Sequence, residues 1–388
     1  MNSQRNRIYF DNAATTKTDE EVLESMLPYL KEQFGNASSI HSFGKSAKVL
    51  LEDARDEIAE FIGAAPKEIF FTNSGTESNN FAIKGLAFKF LNTDKNHIIT
   101  SSIEHSAVLD TIKYLESKFN FRVSYLKPDC NGKLSIDELI SGIGSDTFLI
   151  SLMHSNNEIG IINDLKAVCD SAKEKMVFVH TDSVQSIGKT FFSVKDFDVN
   201  FATLSAHKIY GPKGIAALYI KEKTPVEKFI HGGMQERNMR GGTENIAAIA
   251  GFRKAMDLLK KNFKKDVEHY INLKKYLTDN LIRTFGEKVF FNSGEENSLP
   301  NIVNISFDPN QLIYDEEMIL IQLDLKGIAV SGGSACTAGT QKPSHVLIGL
   351  GRDNKSALGS LRISFGRENT TEEIDYFIES LKKNVREK

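Results

Sequence analysis

Ser205, His207 and Lys208 close an apolar, β-branched run, VNFATLS, and open onto IYGPKG, a glycine turn that lets backbone come close to a bound group. A lysine so placed can hold a cofactor or stand as a solvated charge. Upstream, HTDSVQ sets Asp182 and Gln185 just after another apolar run, within reach of the same edge. The Asp182 carboxylate could cap a helix. Alternatively it could bond a pyridinium nitrogen and keep it protonated, so that the ring absorbs electrons from a substrate carbanion. TNSGTES follows EIFF and begins a helical pattern, which leaves free N–H groups and a positive dipole end near Gly75 and Thr76. That is either an anion cradle or an ordinary glycine turn with a threonine cap. A phosphate there needs hydroxyl or cationic partners, and Ser205, His207 and Thr243 could supply them. His105, in SSIEHS, opens the next helical pattern, either to stack on a ring and exchange protons or as a partly buried helix-start histidine.

The three cysteines, Cys130, Cys169 and Cys336, are odd in number and widely spaced. They match neither a disulfide framework nor a zinc site, so no metal and a reducing compartment are expected. Cys169, on the helical pattern DLKAVCDSA, reads as a small buried hydrophobe, and Cys130, in KPDCNGK, as an exposed loop thiol. Cys336 differs. SGGSACTAGT surrounds it with small residues and three glycines, a composition that predicts an exposed, mobile loop.

The elements that must position these groups follow a clear rhythm. From about Glu68, apolar runs (EIFFT, HIITS, FRVSYL, TFLISLM, MVFVHTD, VNFATLS, GIAALYI) alternate with amphipathic stretches such as LEDARDEIAEFIG and SAVLDTIKYLESKF. This predicts an α/β fold of βαβ units around a mostly parallel sheet. Ligands sit at strand carboxyl ends in such sheets, where TNSGTES, SSIEHS, MHSNNE, HTDSVQ and LSAHK all fall. The 388 residues suit two cores. The expected division is an N-terminal segment, 1–15, packing near a smaller domain; a large domain, 16–261; and a smaller α+β domain, 262–388, carrying the Cys336 loop. The last helix should start in a capping box, Thr370 with Glu373. A net charge of -3, from 48 basic and 51 acidic residues, gives no reason to expect direct nucleic-acid binding. No run resembles a signal peptide or a membrane span, so a cytoplasmic protein is expected.

DNAATT, TNSGTESNN, IEHSAVLDT, MHSNNEIG, HTDSVQSIGK, SAHKIYGPKG, HGGMQERNMRGGTEN, SGGSACTAG and LRISFGR, in this order over nearly the whole chain, resemble the successive motifs of the cysteine desulfurases of the IscS/NifS type. The joint match is specific even though each short motif is not. The resemblance implies the pyridoxal-phosphate-dependent transferase fold of the type I aminotransferases and a homodimer. By position it makes Lys208 the Schiff-base lysine, Asp182 the partner of the pyridine nitrogen and Gln185 that of the ring hydroxyl. It puts Gly75, Thr76, Ser205 and His207 around the phosphate, Thr243 on the neighbouring subunit's phosphate, and His105 over the ring. Asn157 and Arg362 would hold the substrate carboxylate, Arg362 with paired donors.

The activity so implied converts L-cysteine to L-alanine. The amine of Lys208 removes the Cα proton, His105 helps proton exchange, and the Cys336 thiolate takes the sulfur as a persulfide for an acceptor protein. RGGT stands where RSGT is more usual, with no needed group lost. The chain stops at VREK, whereas relatives that load an iron–sulfur scaffold carry a longer tail, and SACTAGT followed by PSHVL resembles shorter relatives that feed tRNA thiolation. A tRNA-thiolating enzyme is therefore the expected acceptor, with an iron–sulfur scaffold as the other. Rival readings are a selenocysteine lyase or aminotransferase of the same fold, the latter having no use for Cys336, and a sulfur-relay scaffold without chemistry, against which the retained Lys208, Asp182, His105 and Cys336 speak.

Overall fold

The computed structural model describes residues 7–292, 294, 296–332 and 342–388, so Cys336 and the loop around it lie outside the described residues. The chain starts with β1 (Ile8–Tyr9), α1 (Glu20–Lys31) and α2 (Ser42–Ile62). Asp19 and His41 cap the two helices, and Gly63 ends α2 at φ 73°, where a β-carbon would be strained. Strands and helices then alternate: β2 (Ile69–Thr72), α3 (Gly75–Lys89), β3 (His97–Ser101), α4 (Ser106–Phe119), β4 (Arg122–Leu126), α5 (Ile136–Gly142), β5 (Thr147–Ser151), α6 (Leu165–Glu174), β6 (Phe178–Asp182), α7 (Val194–Phe197), β7 (Phe201–Ser205) and β8 (Ala216–Ile220). All seven apolar runs picked from the sequence are strands.

They form one seven-stranded sheet in the order β2-β8-β7-β6-β5-β3-β4. β8 is antiparallel to both β2 and β7, and every other pair is parallel. Two antiparallel steps restore the direction, so β2 runs parallel to β7. The carboxyl ends of β2, β3, β5, β6 and β7 consequently share one edge. Helices cover both faces, burying one core around Ile99, Ile150, Val179 and Leu204 and another around Phe81, Ile98, Phe148 and Leu218. Burial on both sides explains why these strands read as continuous apolar runs rather than alternating ones.

After β8 comes α8 (Ile246–Phe285), capped by Asn245 and 40 residues long, about 60 Å of unbroken helix. Its first half, through Leu259, packs into the sheet core. Tyr270, Leu273, Leu277, Leu281 and Phe285 belong instead to a separate core with Phe10, Phe307, Ile363 and Phe377. Asn262 thus lies within a continuous helix that passes from one core to the other. The second core is built by β9 (Val289–Phe291), β10 (Ile302–Phe307), β11 (Leu312–Ile313), α9 (Ile319–Asp324), β12 (Ile328–Ala329), α10 (His345–Gly349), α11 (Asn354–Leu358), β13 (Leu361–Ser364), α12 (Thr371–Asn384) and β14 (Arg386–Glu387). β13, β10 and β9 form an antiparallel sheet, and β1 pairs in parallel with β12, which carries the start of the chain into this second core. α12 begins in the expected capping box of Thr370 and Glu373.

Candidate active site

Lys208 stands in the single 3-10 turn, Ala206–Lys208, that follows β7. Its amine donates to the carbonyls of Ala13 at 2.6 Å and Ala14 at 2.7 Å. Both acceptors belong to DNAATT, whose backbone is stitched over the end of β7 where Thr16 N–H donates to the His207 carbonyl at 2.9 Å. Burial pushes the Lys208 amine down to about 8, and the Arg362 guanidinium pushes the same way, against Asp182 and Asp11. An amine held near neutrality can accept and return protons, which one at its ordinary value cannot do efficiently.

Asp182 is the last residue of β6, beside β7 in the sheet. Its Oδ1 accepts from Val184 N–H at 3.0 Å and its Oδ2 from Asn79 Nδ2 at 2.7 Å. Gln185 donates from Nε2 to the Ala13 carbonyl at 2.9 Å, the same oxygen that Lys208 uses. Lys208, Gln185 and the N-terminal segment are therefore one hydrogen-bonded unit, with Asp182 near enough to act on Lys208.

Gly75 is the first residue of α3, and Ser74 caps the helix by accepting from Glu77 N–H at 3.1 Å. A β-carbon on Gly75 would stand 3.2 Å from Val184 Cγ2 and 3.9 Å from Ser205 Cβ, so glycine is what lets the helix start sit against the ends of β6 and β7. Ser205 Oγ, buried at this junction, has no hydrogen-bond partner among the described residues. His207 pairs through Nδ1 with Thr15 Oγ1 at 3.1 Å. Burial, followed by Lys208 and Lys213, pulls its imidazole down to about 4, so at neutral pH it offers a neutral donor rather than a cation. Thr76 is exposed at the start of α3. His105 is the N-cap of α4, its Nδ1 accepting from Ala107 N–H at 3.1 Å, and it is exposed rather than partly buried.

Arg362, on β13, reaches the site from the second core. It donates to Asp11 Oδ1 at 2.8 Å and to the Asn157 carbonyl at 3.0 Å, while its buried Nε has no partner among the described residues. Asp11 also accepts from Ser331 Oγ at 2.8 Å. Arg362 and Asn157 are thus together. Thr243 is not with them: it lies exposed in the turn before α8, outside these contacts. Cys130 is exposed, and Cys169 is buried, with burial raising its thiol to about 12.

An orphaned hydroxyl beside a free helix start, a near-neutral lysine and a buried carboxylate at adjacent strand ends suit an anionic aromatic aldehyde. The residues present fit pyridoxal phosphate. A family model, aminotransferase class-V, matches residues 8–377, and the chain belongs to that family. Within it, the chain is 43% identical over 381 residues to the cysteine desulfurase IscS of Dictyoglomus turgidum, covering 98% of this chain and 95% of the relative. It is also 43% identical over 380 residues to the cysteine desulfurase IscS of Methanosarcina thermophila, covering 98% and 92%. Among solved structures, a NifS-like protein matches with a TM-score of 0.90 at 39% identity, over 97% of this chain and 98% of the other. A structure described as SspA in complex with cysteine matches at 0.82 and 38% identity, over 92% and 98%.

Several residues that touch the site carried no individual role in the sequence reading. Asp11, Ala13 and Ala14 are held against residues more than 190 positions away. Their signal was DNAATT directly after the apolar run Ile8, Tyr9 and Phe10, a small polar cluster at a strand end like the five others. Asn79 gave no such signal, being one polar residue in a helix.

Proposed function

We propose that this chain is a pyridoxal-phosphate-dependent cysteine desulfurase, converting L-cysteine to L-alanine and passing the sulfur to Cys336 as a persulfide. The observation that carries the reading is the half-buried Lys208 amine, bonded to the Ala13 and Ala14 carbonyls and drawn down to about 8 at a strand end beside Asp182 and Arg362. When bound, pyridoxal phosphate supplies the electron sink that lets a Cα–H bond ionise. The chain's residues do the rest. Lys208 anchors the cofactor, then takes the Cα proton, and its depressed basicity lets it return that proton. Ser205, His207, Gly75 and Thr76 would hold the phosphate. Asp182 would pair with the ring nitrogen and Gln185 with the ring hydroxyl. Arg362, kept in place by Asp11, binds the substrate carboxylate with Asn157. His105, exposed at the start of α4, would lie against the ring and exchange protons with the thiols. The Cys336 thiolate attacks the substrate sulfur, and the carbon–sulfur bond breaks with its electron pair left on Cβ. Cβ takes up the proton that the substrate thiol gave to His105, Lys208 returns its proton to Cα, and alanine leaves.

The protein acts as a homodimer in which Thr243 completes the partner's phosphate site, consistent with its exposure away from Lys208. No helix among the described residues is long and apolar enough to cross a membrane; the proposed location is the cytoplasm. The sulfur acceptor is a tRNA-thiolating enzyme, on the strength of SACTAGT and PSHVL. Purified protein given cysteine should form alanine, with a persulfide on Cys336 by mass spectrometry. Undiminished alanine and sulfide production by Cys336→Ala would defeat the persulfide role, and persulfide on Cys130 alone would reassign it. Retention of an iron–sulfur scaffold, and not of a thiolating enzyme, on the immobilised protein would reverse the choice of acceptor.

A further inference from the structure

A second set of buried polar groups stands behind Asp182, and the reaction as described does not use it. Ser151 ends β5, and His180 lies beside it in β6 as its paired residue. His180 and Asp182 are two positions apart on one strand, so their side chains share a face of the sheet. α3 packs on β6 and brings Asn79 to that face. Ser151, His180 and Asn79 are all but completely buried. Ser151 Oγ lies 2.8 Å from His180 Nδ1, His180 Nε2 lies 3.2 Å from Asn79 Oδ1, and Asn79 Nδ2 donates to Asp182 Oδ2 at 2.7 Å.

Donor and acceptor chemistry allows only one direction along this row. A carboxylate accepts, so Asn79 must turn its NH2 toward Asp182, which leaves its carbonyl facing His180. His180 must then carry its proton on Nε2, and its bare Nδ1 must accept from the Ser151 hydroxyl. Burial pulls the imidazole down to about 4 against the opposing pull of Asp182, so the ring is neutral at physiological pH, as the chain requires. A second buried carboxyl near Asp182 is Glu104, which accepts from Met153 N–H at 2.9 Å and Ser101 Oγ at 3.1 Å. Burial pushes it up to about 8, so it is mostly uncharged at neutral pH.

We propose that Ser151, His180 and Asn79 are positioning residues, a one-way chain of donors that fixes the Asp182 carboxylate for its contact with the cofactor. The chain rests on the reading of Asp182 as the partner of the pyridine nitrogen. With Val184 N–H on Oδ1 and Asn79 on Oδ2, the carboxylate cannot rotate without leaving both donors unpaired, the Asn79 amide among them buried.

Nitrogen NMR of the cofactor-free protein tests the first link. His180 should show its proton on Nε2 and no titration from about pH 8 to about pH 5. A proton on Nδ1, or a midpoint near neutrality, would overturn the chain. Asn79→Leu and Asp182→Asn test the last link. Asn79→Leu should bind pyridoxal phosphate roughly tenfold to a hundredfold more weakly, the equivalent of one hydrogen bond to a charged group. It should also shift the visible absorption of the bound cofactor, and lower kcat with little change in KM for cysteine. Asn79→Leu indistinguishable from wild type while Asp182→Asn loses affinity would reject the chain and leave the Asp182 reading standing; both variants silent would reject the two together. Should Asn79→Leu not fold, Ser151→Ala replaces it: a displaced His180 nitrogen signal supports the chain, and an unmoved one refutes it.

Discussion

Ser205 and Lys208 sit three residues apart and make opposite demands on the folded protein. Ser205 Oγ is buried without a partner among the described residues, so the cofactor-free fold gains nothing from it. Ser205→Ala should leave the Tm of cofactor-free protein unchanged or raise it slightly, while weakening pyridoxal-phosphate binding roughly tenfold or more, the value of a charge-assisted hydrogen bond. Calorimetry and a cofactor titration read the two effects separately, and a large fall in the cofactor-free Tm would show the hydroxyl to be structural. As the proposed anchor of the cofactor, Lys208 would govern its uptake, because only the neutral amine attacks an aldehyde. With its amine at about 8, the fraction able to react rises through that value and levels above it. The rate of reconstitution should therefore climb roughly tenfold per pH unit below about 8 and flatten beyond. Arg362 is one cause of the low value, so Arg362→Gln should move the midpoint upward. A profile still rising at pH 10 in the wild type would contradict the burial of Lys208.

At the scale of elements, the sheet's edge is fixed by how closely α8 packs beneath the turn after β6. Gly188, in that turn at φ 76°, lies so near α8 that an added β-carbon would stand 2.5 Å from Leu259 Cδ1. Gly188→Ala should cost roughly 2 kcal/mol or more in urea unfolding, combining a left-handed backbone with overpacking. A cost within experimental error would mean that the helix can move away. The same packing explains what was legible. The seven strands could be read because both of their faces are covered, which leaves unbroken apolar runs, and the five polar clusters because they mark strand ends. The sequence sets a boundary near Asn262 at a charged helical stretch leading out of the large domain, and α8 runs through it from the first core into the second, since a helix continues through charge as long as one stripe stays apolar. The contacts of DNAATT with Lys208 and of Asn79 with Asp182 were not legible, because pairing across such separations is decided by which element packs on which, and no local pattern records that.

At the scale of the molecule, the surface holds apolar groups that one copy leaves uncovered. Leu30, Phe34, Ile40 and Phe43 are exposed on α1, the start of α2 and the segment between them, with Ile40 at 90% and Phe34 at 71%, and Phe34 stacks on Phe43 at 5.7 Å. Met234, 80% exposed, lines a cavity of about 230 Å³ with Ala37, Lys48 and Arg55, which carries the same face toward the turn that bears Thr243. Exposed apolar groups gathered along one stretch of chain suit an interaction site. A second copy seated there would suit the proposed homodimer, in which Thr243 serves the partner's phosphate. Phe34→Asp with Ile40→Asp should then shift the protein from dimer to monomer in sedimentation and lower its affinity for pyridoxal phosphate. Thr243→Ala should lower the affinity alone and leave the dimer intact. A monomeric double variant that keeps full affinity would show each site to be complete within one chain, and a wild type that sediments as a monomer would leave the patch to some other partner.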